Sequence, residues 1–309
     1  MRPAPQKPAS SLQPVLWLGA TLVSLLLAPA QGQVVVSMKP VKKLFVAYEP
    51  IQVEMSILNR AGRDIVLSGK GSTPWLSFQI TDESGHLVSP EGSADFPPVM
   101  VPAGQALSRT VALNHLYPMT RQGLYRVQAS VYFPQLDNYF NSQTEAIQVA
   151  EAQELWSQVV GVPEGNEKAG TYRRYILLTF NNGSQKLLYI RVQDEKTGTV
   201  RTSFSLGQVV MVRPPEWIID VQNTLHVLHM GAPRTFAYTV VDIDGKMLKR
   251  EVYHEEGSSR PKLSSANDGA VVVVGGVSDQ KIRQDPLHAE VRKISERPEG
   301  LPLIPAPAP

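Results

Sequence analysis

The sequence predicts an all-β protein: a β-sandwich followed by a smaller antiparallel β-meander domain. Three observations predict it. Between residues 33 and 278, apolar residues alternate with polar ones over short runs, and helical spacing is scarce. Turn signals rich in Gly, Pro, Asn and Asp separate those runs. The 309 residues include no cysteine, so the cores have to hold without disulfide staples.

Residues 1–32 stand apart from this pattern. Arg2 and Lys7 are the only charges before Lys39. The apolar run VLWLGATLVSLLL (Val15 to Leu27) follows, then the small residues of Ala28-Pro29-Ala30 and Ala30-Gln31-Gly32. A charged start, a short apolar middle and a small-x-small end make a secretory signal peptide, cleaved near Ala30 or Gly32. The apolar run is shorter than the ~20 residues a spanning helix needs. The expected location is therefore secreted or periplasmic, with no membrane span in the mature chain. Loss of Arg2 and Lys7 takes the chain from 30 basic and 28 acidic side chains to 28 of each. A formally neutral chain has no global pull on phosphates, so nucleic acid is not an expected partner. The missing cysteine also excludes a cysteine nucleophile, a thiolate zinc site and a cysteine-linked lipid, and leans toward a bacterial envelope protein.

Residues 33–150 read as the sandwich. In IQVEMSIL, Ile51, Val53, Met55 and Ile57 alternate with Gln52, Glu54 and Ser56, giving one buried and one wet face. The turn NRAGRD precedes the strand IVL, and LSFQI places Leu76, Phe78 and Ile80 on one side. VPAGQ turns the chain into LSRTVAL. Trp75 is out of phase with Leu76, Phe78 and Ile80, so it is not read as the central core tryptophan. In GLYRVQASVYF, Tyr125, Val127, Ala129, Val131 and Phe133 share a face, and Gly123 permits a sharp entry. A tyrosine opening such a strand looks like the tyrosine corner of Greek-key sandwiches, its ring inward and its hydroxyl on an upstream backbone group. Tyr125 and Gly123 are thus expected to be structural.

These residues carry a family resemblance. The chain shows a turn-Glu-Pro start (Tyr48-Glu49-Pro50), Asn59 after the strand, the Pro102-x-Gly104 turn and Gly123-x-Tyr125-x-Val127-x-Ala129. Residues 33–150 thereby resemble the immunoglobulin-like domain of many exported bacterial proteins and of the intracellular proteinase inhibitor type. The resemblance implies an immunoglobulin-like β-sandwich and, as one functional alternative, protease inhibition. Unlike antibody domains it has no cysteine pair, and Val127 stands where the second cysteine would fall.

Residues 151–171 read as a linker with one helical turn around Glu154 to Val159. Residues 172–278 read as an antiparallel β domain containing two hairpin repeats that look like propeller blades. LLYIRVQDEKTGTVRTSFSLG aligns with FAYTVVDIDGKMLKREVYHEEG, Tyr189 with Tyr238 and Val192 with Val241. Two blades are too few to close a propeller of about four to eight. The hairpins should form a meander leaning on the first domain, unless several chains complete a ring. LHVLHMG and DGAVVVVGG also resemble uncharacterised exported bacterial proteins. Residues 279–309 read as a Pro-rich, mostly disordered tail. They leave room for one short helix capped by Asp285, with Leu287, Val291 and Ile294 on one side.

No motif nominates a reaction. His226 and His229 are three apart on a strand and face opposite ways. Asp242 and Asp244 begin like a calcium loop, but Tyr253 stands where the twelfth-position Glu would be, so a hairpin turn is expected. Lys196-Thr197-Gly198 and Ser278-x-x-Lys281 occur in the reverse of the order that penicillin-binding enzymes require. No metal, cofactor or catalytic residue is therefore expected. The chain reads as an exported, non-catalytic binding or scaffold protein whose partner is a protein or glycan of the cell envelope. The alternatives are protease inhibition and an enzyme with an inter-domain site. The candidate binding residues are Asp137, Asn138, Tyr139 and Phe140, in the expected loop PQLDNYFNS, because aromatics flanked by small polar groups serve binding loops.

Overall fold

A computed structural model describes residues 34–71, 73–92, 96–165 and 169–284. The signal segment and the helix expected after Asp285 lie outside the described residues. The described chain is almost entirely β, with mostly antiparallel sheets.

The first part contains β1 (Val34–Pro40), β2 (Leu44–Val46), β3 (Gln52–Asn59), β4 (Ile65–Leu67), β5 (Leu76–Thr81), β6 (Val99–Val101), β7 (Ala106–Ala112), β8 (Gly123–Phe133), β9 (Asn138–Asn141) and β10 (Glu145–Ala150). One sheet runs β1-β3-β7; the other runs β2-β10-β8-β5, with β9 also on β8. The pairing of β2 with β10 is the one parallel pair among the described strands. Strand alternation sets the core: Val34, Val36 and Met38 point inward from β1, and Val53, Met55 and Ile57 from β3. They meet Tyr125, Val127, Ala129 and Val131 of β8 in one continuous cluster. Each such side chain contributes roughly 1.5–3 kcal/mol by leaving water.

Trp75 corrects the sequence reading, because it is fully buried in this core. It precedes β5, so strand alternation does not govern its direction. Its indole N–H donates to the Phe96 and Pro97 carbonyls at 2.9 and 3.0 Å, which satisfies its one polar atom.

The expected linker is a second correction. β11 (Gln153–Gly161) follows β10 after two residues and pairs along β12 (Tyr172–Asn181). No helical turn forms there. A bulge between Glu154 and Trp156 breaks the alternation, so Leu155 and Trp156 both pack toward the core.

The second part continues with β13 (Lys186–Asp194), β14 (Val200–Gln208), β15 (Glu216–Ile219), β16 (Leu225–Ala232), β17 (Thr235–Val241), β18 (Met247–His254), β19 (Lys262–Ser265), β20 (Val271–Val274), β21 (Val277–Ser278) and α1 (Asp279–Gln284). β11-β12-β13-β14 make one meander and β15-β16-β17-β18-β21 another. They share a core of Tyr175, Leu177, Ile190 and Val192 from the first with Leu225, Val227 and Val241 from the second. The two repeat hairpins occupy equivalent faces. Val192 and Val241 both enter the shared core, whereas Tyr189 and Tyr238 both face away from it. Gly245, in the turn of the second hairpin, has φ +85° and sits so close to Thr202 that a Cβ there would lie 2.1 Å from its methyl group. Only glycine fits that approach.

β2 joins the two parts. Val46, fully buried, packs on Ile176, Leu178 and Tyr189. Around it, Lys42 pairs with Glu49 at 2.7 Å, and Arg191 donates to the Ala47 carbonyl at 2.9 Å.

Candidate functional site

The expected binding loop PQLDNYFNS is a tight hairpin, not an open loop. β8 ends at Phe133, residues Pro134–Leu136 make one 3-10 turn, and Asp137 turns the chain back at φ +48°. Asn138–Asn141 then form β9, in register with Ser130–Phe133. Aspartate tolerates the left-handed region better than most side chains, which suits it to this corner.

Period-2 alternation splits the two predicted aromatics. Phe140 turns inward against the core, its ring 6.1 Å from Phe133. Tyr139 turns outward, 47% exposed, with its ring 5.1 Å from Tyr132. Asp137 organises the outer side. Its Oδ1 accepts from the Tyr132 hydroxyl at 2.5 Å and from Lys70 Nζ at 2.8 Å. These bonds, that to Lys70 first, hold the Asp137 carboxyl below the usual carboxylate range and raise Lys70. Asn138 accepts from the Tyr139 N–H at 2.8 Å. Leu136, 45% exposed, completes the tip. The structure therefore brings Asp137 and Tyr139 together on a braced outer face, while Asn138, opposite Phe133, and Phe140, opposite Val131, take the other side of the strand.

Tyr125 and Gly123 sit at the other end of β8. Tyr125 is buried, and its hydroxyl donates to the Arg121 carbonyl at 3.0 Å. Gly123 has φ +149°, while a Cβ there would meet only Glu83 at ordinary contact distance. Backbone conformation, not space, selects the glycine.

No protein-family model matches this sequence, and no curated protein matches it. Among solved structures, the sporulation control protein Spo0M of Bacillus subtilis aligns over 85% of this chain and 98% of its own. The identity is 12% and the TM-score 0.27, a likeness too slight to carry an argument.

A concavity lies where the sandwich meets the turn between β13 and β14. The cleft has a volume of about 520 Å³, and Tyr48, Glu91, His115, Thr120, Thr199 and Ser203 are among the residues lining it. Tyr48 adopts φ +68°, and the Arg191 guanidinium sits 4.6 Å from the centre of its ring. Sequence reading missed this site because its walls come from four distant segments. The visible signal was the bulky Tyr48 inside the turn-Glu-Pro start.

The remaining motifs are structural where they are described. His226 bridges Tyr238 at 2.8 Å and Asp220 at 3.2 Å on one face of β16, while His229 faces the other sheet. Asp242 Oδ1 accepts from the Asp244 and Lys246 N–H groups, as a hairpin turn requires. Asp194 caps the turn at Lys196 and Thr197, and those backbone bonds, the Thr197 N–H first, lower its pKa. Among the described residues no group of three or more His, Asp or Glu could hold a metal ion. No helix among them is long and apolar enough to cross a membrane.

Proposed function

We propose that this chain is an exported, non-catalytic binding protein of the bacterial envelope or secretome, and that the hairpin at residues 134–141 is where it holds a macromolecular partner. The observation that carries the reading is Tyr139. It is a large aromatic, half in water, on a hairpin whose geometry is fixed by the Asp137–Tyr132–Lys70 bonds and by Phe140 in the core. A rigid aromatic that loses little entropy on contact is what binding surfaces use as an anchor. Leu136 adds apolar area beside it, and Asp137 supplies a polar group. The immunoglobulin-like resemblance of residues 33–150 fits such a display, because sandwiches present loops and hairpins at their ends. Export rests on the charged, apolar and small-residue segments of residues 1–32.

The test is capture from an envelope fraction by the tagged protein, with the captured species identified by mass spectrometry. The combined Leu136→Ser and Tyr139→Ser variant should lose the captured species while its melting temperature stays nearly unchanged. Phe140 must be left alone, because it packs on the core. Capture equal to wild type removes the hairpin from the account. Chemical turnover of a captured ligand contradicts the non-catalytic part.

A further inference from the structure

We propose that the cleft between the sandwich and the β13–β14 turn binds a neutral saccharide, with Tyr48 as its platform and Ser203 at its floor. This rests on the binding reading above but uses a surface that shares no residue with the hairpin.

Two observations at the floor point to a ligand. Ser203 is 1% exposed, and its hydroxyl has no hydrogen-bond partner. Arg191 stands directly opposite it across the strand pair, and its Nε is also buried without a partner. Buried polar groups are normally bonded, and an orphan destabilises the fold. Here one of them, Ser203, lines the opening, and the other lies behind it, opposite Ser203 in the strand pair.

The wall is the third observation. A bulky side chain at φ +68° is uncommon, and backbone strain of that kind collects at ligand sites. Arg191 braces Tyr48, with its guanidinium over the ring and its Nη2 donating to the preceding Ala47 carbonyl. The ring lines the cleft and remains 37% exposed.

The chemistry of the lining selects the ligand. Thr120, Thr199 and Ser203 offer hydroxyls that both donate and accept. The lining carries one carboxylate, Glu91, and one guanidinium, Arg201, the latter already paired with Asp244 at 3.3 Å. A strongly charged ligand has no excess of opposite charge to meet. What fits is a neutral molecule with many hydroxyl groups and one apolar face for the tyrosine ring, which describes a sugar. The cleft volume falls within the range of about 300–1,000 Å³ typical of small-ligand sites.

The experiment is titration calorimetry and saturation-transfer NMR on the full chain with maltotriose, cellotriose and tri-N-acetylchitotriose. At least one should bind, with transfer to the C–H protons of one sugar face. Tyr48→Gly keeps a residue suited to the positive φ and removes the platform. It should weaken binding by at least about tenfold without lowering the melting temperature. Ser203→Val should weaken binding as well, which keeps the test open if the Tyr48 variant fails to fold. Binding of none of the three sugars overturns the proposal, as does unchanged affinity in both folded variants. If the sugars fail while capture still depends on Leu136 and Tyr139, the cleft is wrong and the hairpin reading stands. If the sugars bind through Tyr48 while capture ignores the hairpin, the hairpin reading is wrong and the cleft stands.

Discussion

The two parts of the molecule treat their buried polar atoms differently. In the sandwich, residues 34–150, each conspicuous polar group inside the core is answered. Asn59 donates to the Arg63 and Val101 carbonyls and accepts from the Ala61 N–H. The Tyr117 hydroxyl donates to the Phe78 carbonyl and accepts from its N–H. In the meander sheets the accounting is incomplete. All seven buried, unpartnered side-chain atoms among the described residues lie between Arg173 and Arg260. They belong to Arg173, Arg191, Ser203, His229, Thr239 and Arg260. The sandwich is therefore a settled scaffold, and the meander carries groups whose cost is justified only by something other than its own packing.

The largest expected effect tests the settled side. Trp75→Ala should cost about 3–5 kcal/mol, because it empties a fully buried site and strands the Phe96 and Pro97 carbonyls. Denaturant unfolding measures it. A loss near zero would mean that the sandwich core does not depend on its largest side chain.

The next effect belongs to the unsettled side and depends on pH. His229 is 1% exposed and faces the shared core of the two meanders. Neither ring nitrogen makes a bond of good geometry. Burial first, then the Arg250 charge, push its pKa down to about 4, with the Gln208 backbone offsetting only part of that. Unfolded, the imidazole takes a proton near pH 6.5; folded, it resists until about 4. Its effect on stability is therefore absent above about pH 6.5, and stability falls as pH drops toward 4. The loss amounts to roughly 3 kcal/mol across the window. His229→Leu should flatten that slope in urea titrations taken from pH 7 to 4.5. An unchanged slope would place the acid sensitivity elsewhere.

The smallest effect is Tyr125→Phe. It removes the bond to the Arg121 carbonyl while keeping the buried ring, and should cost about 0.5–1.5 kcal/mol. A fully silent substitution would show that the corner is packing alone.

Much of the fold was legible because alternation is local. The runs at Ile51–Ile57, Leu76–Ile80 and Tyr125–Phe133 display their buried faces residue by residue. The repeat of Tyr189–Val192 with Tyr238–Val241 was also visible, because the two hairpins share a turn chemistry. What failed was of two kinds. β11 hid behind a bulge that breaks period 2, and Trp75 is buried from outside any strand. Within the hairpin, the aromatic pair was read as one feature, although adjacent strand residues must face opposite ways. The cleft was illegible for a different reason. Tyr48, Glu91 and Thr120 come from separate loops of the first part, and Ser203 meets them across the junction where Val46 packs on Ile176, Leu178 and Tyr189.

The central claim is that the settled scaffold presents its braced hairpin to a partner. Hydrogen–deuterium exchange of the captured complex against the free protein tests it most directly. Added protection is expected at residues 134–141 and along the adjoining end of β8, with Lys70 on the same footprint. Protection confined to β15–β20, with the hairpin exchanging as it does in the free protein, would contradict it.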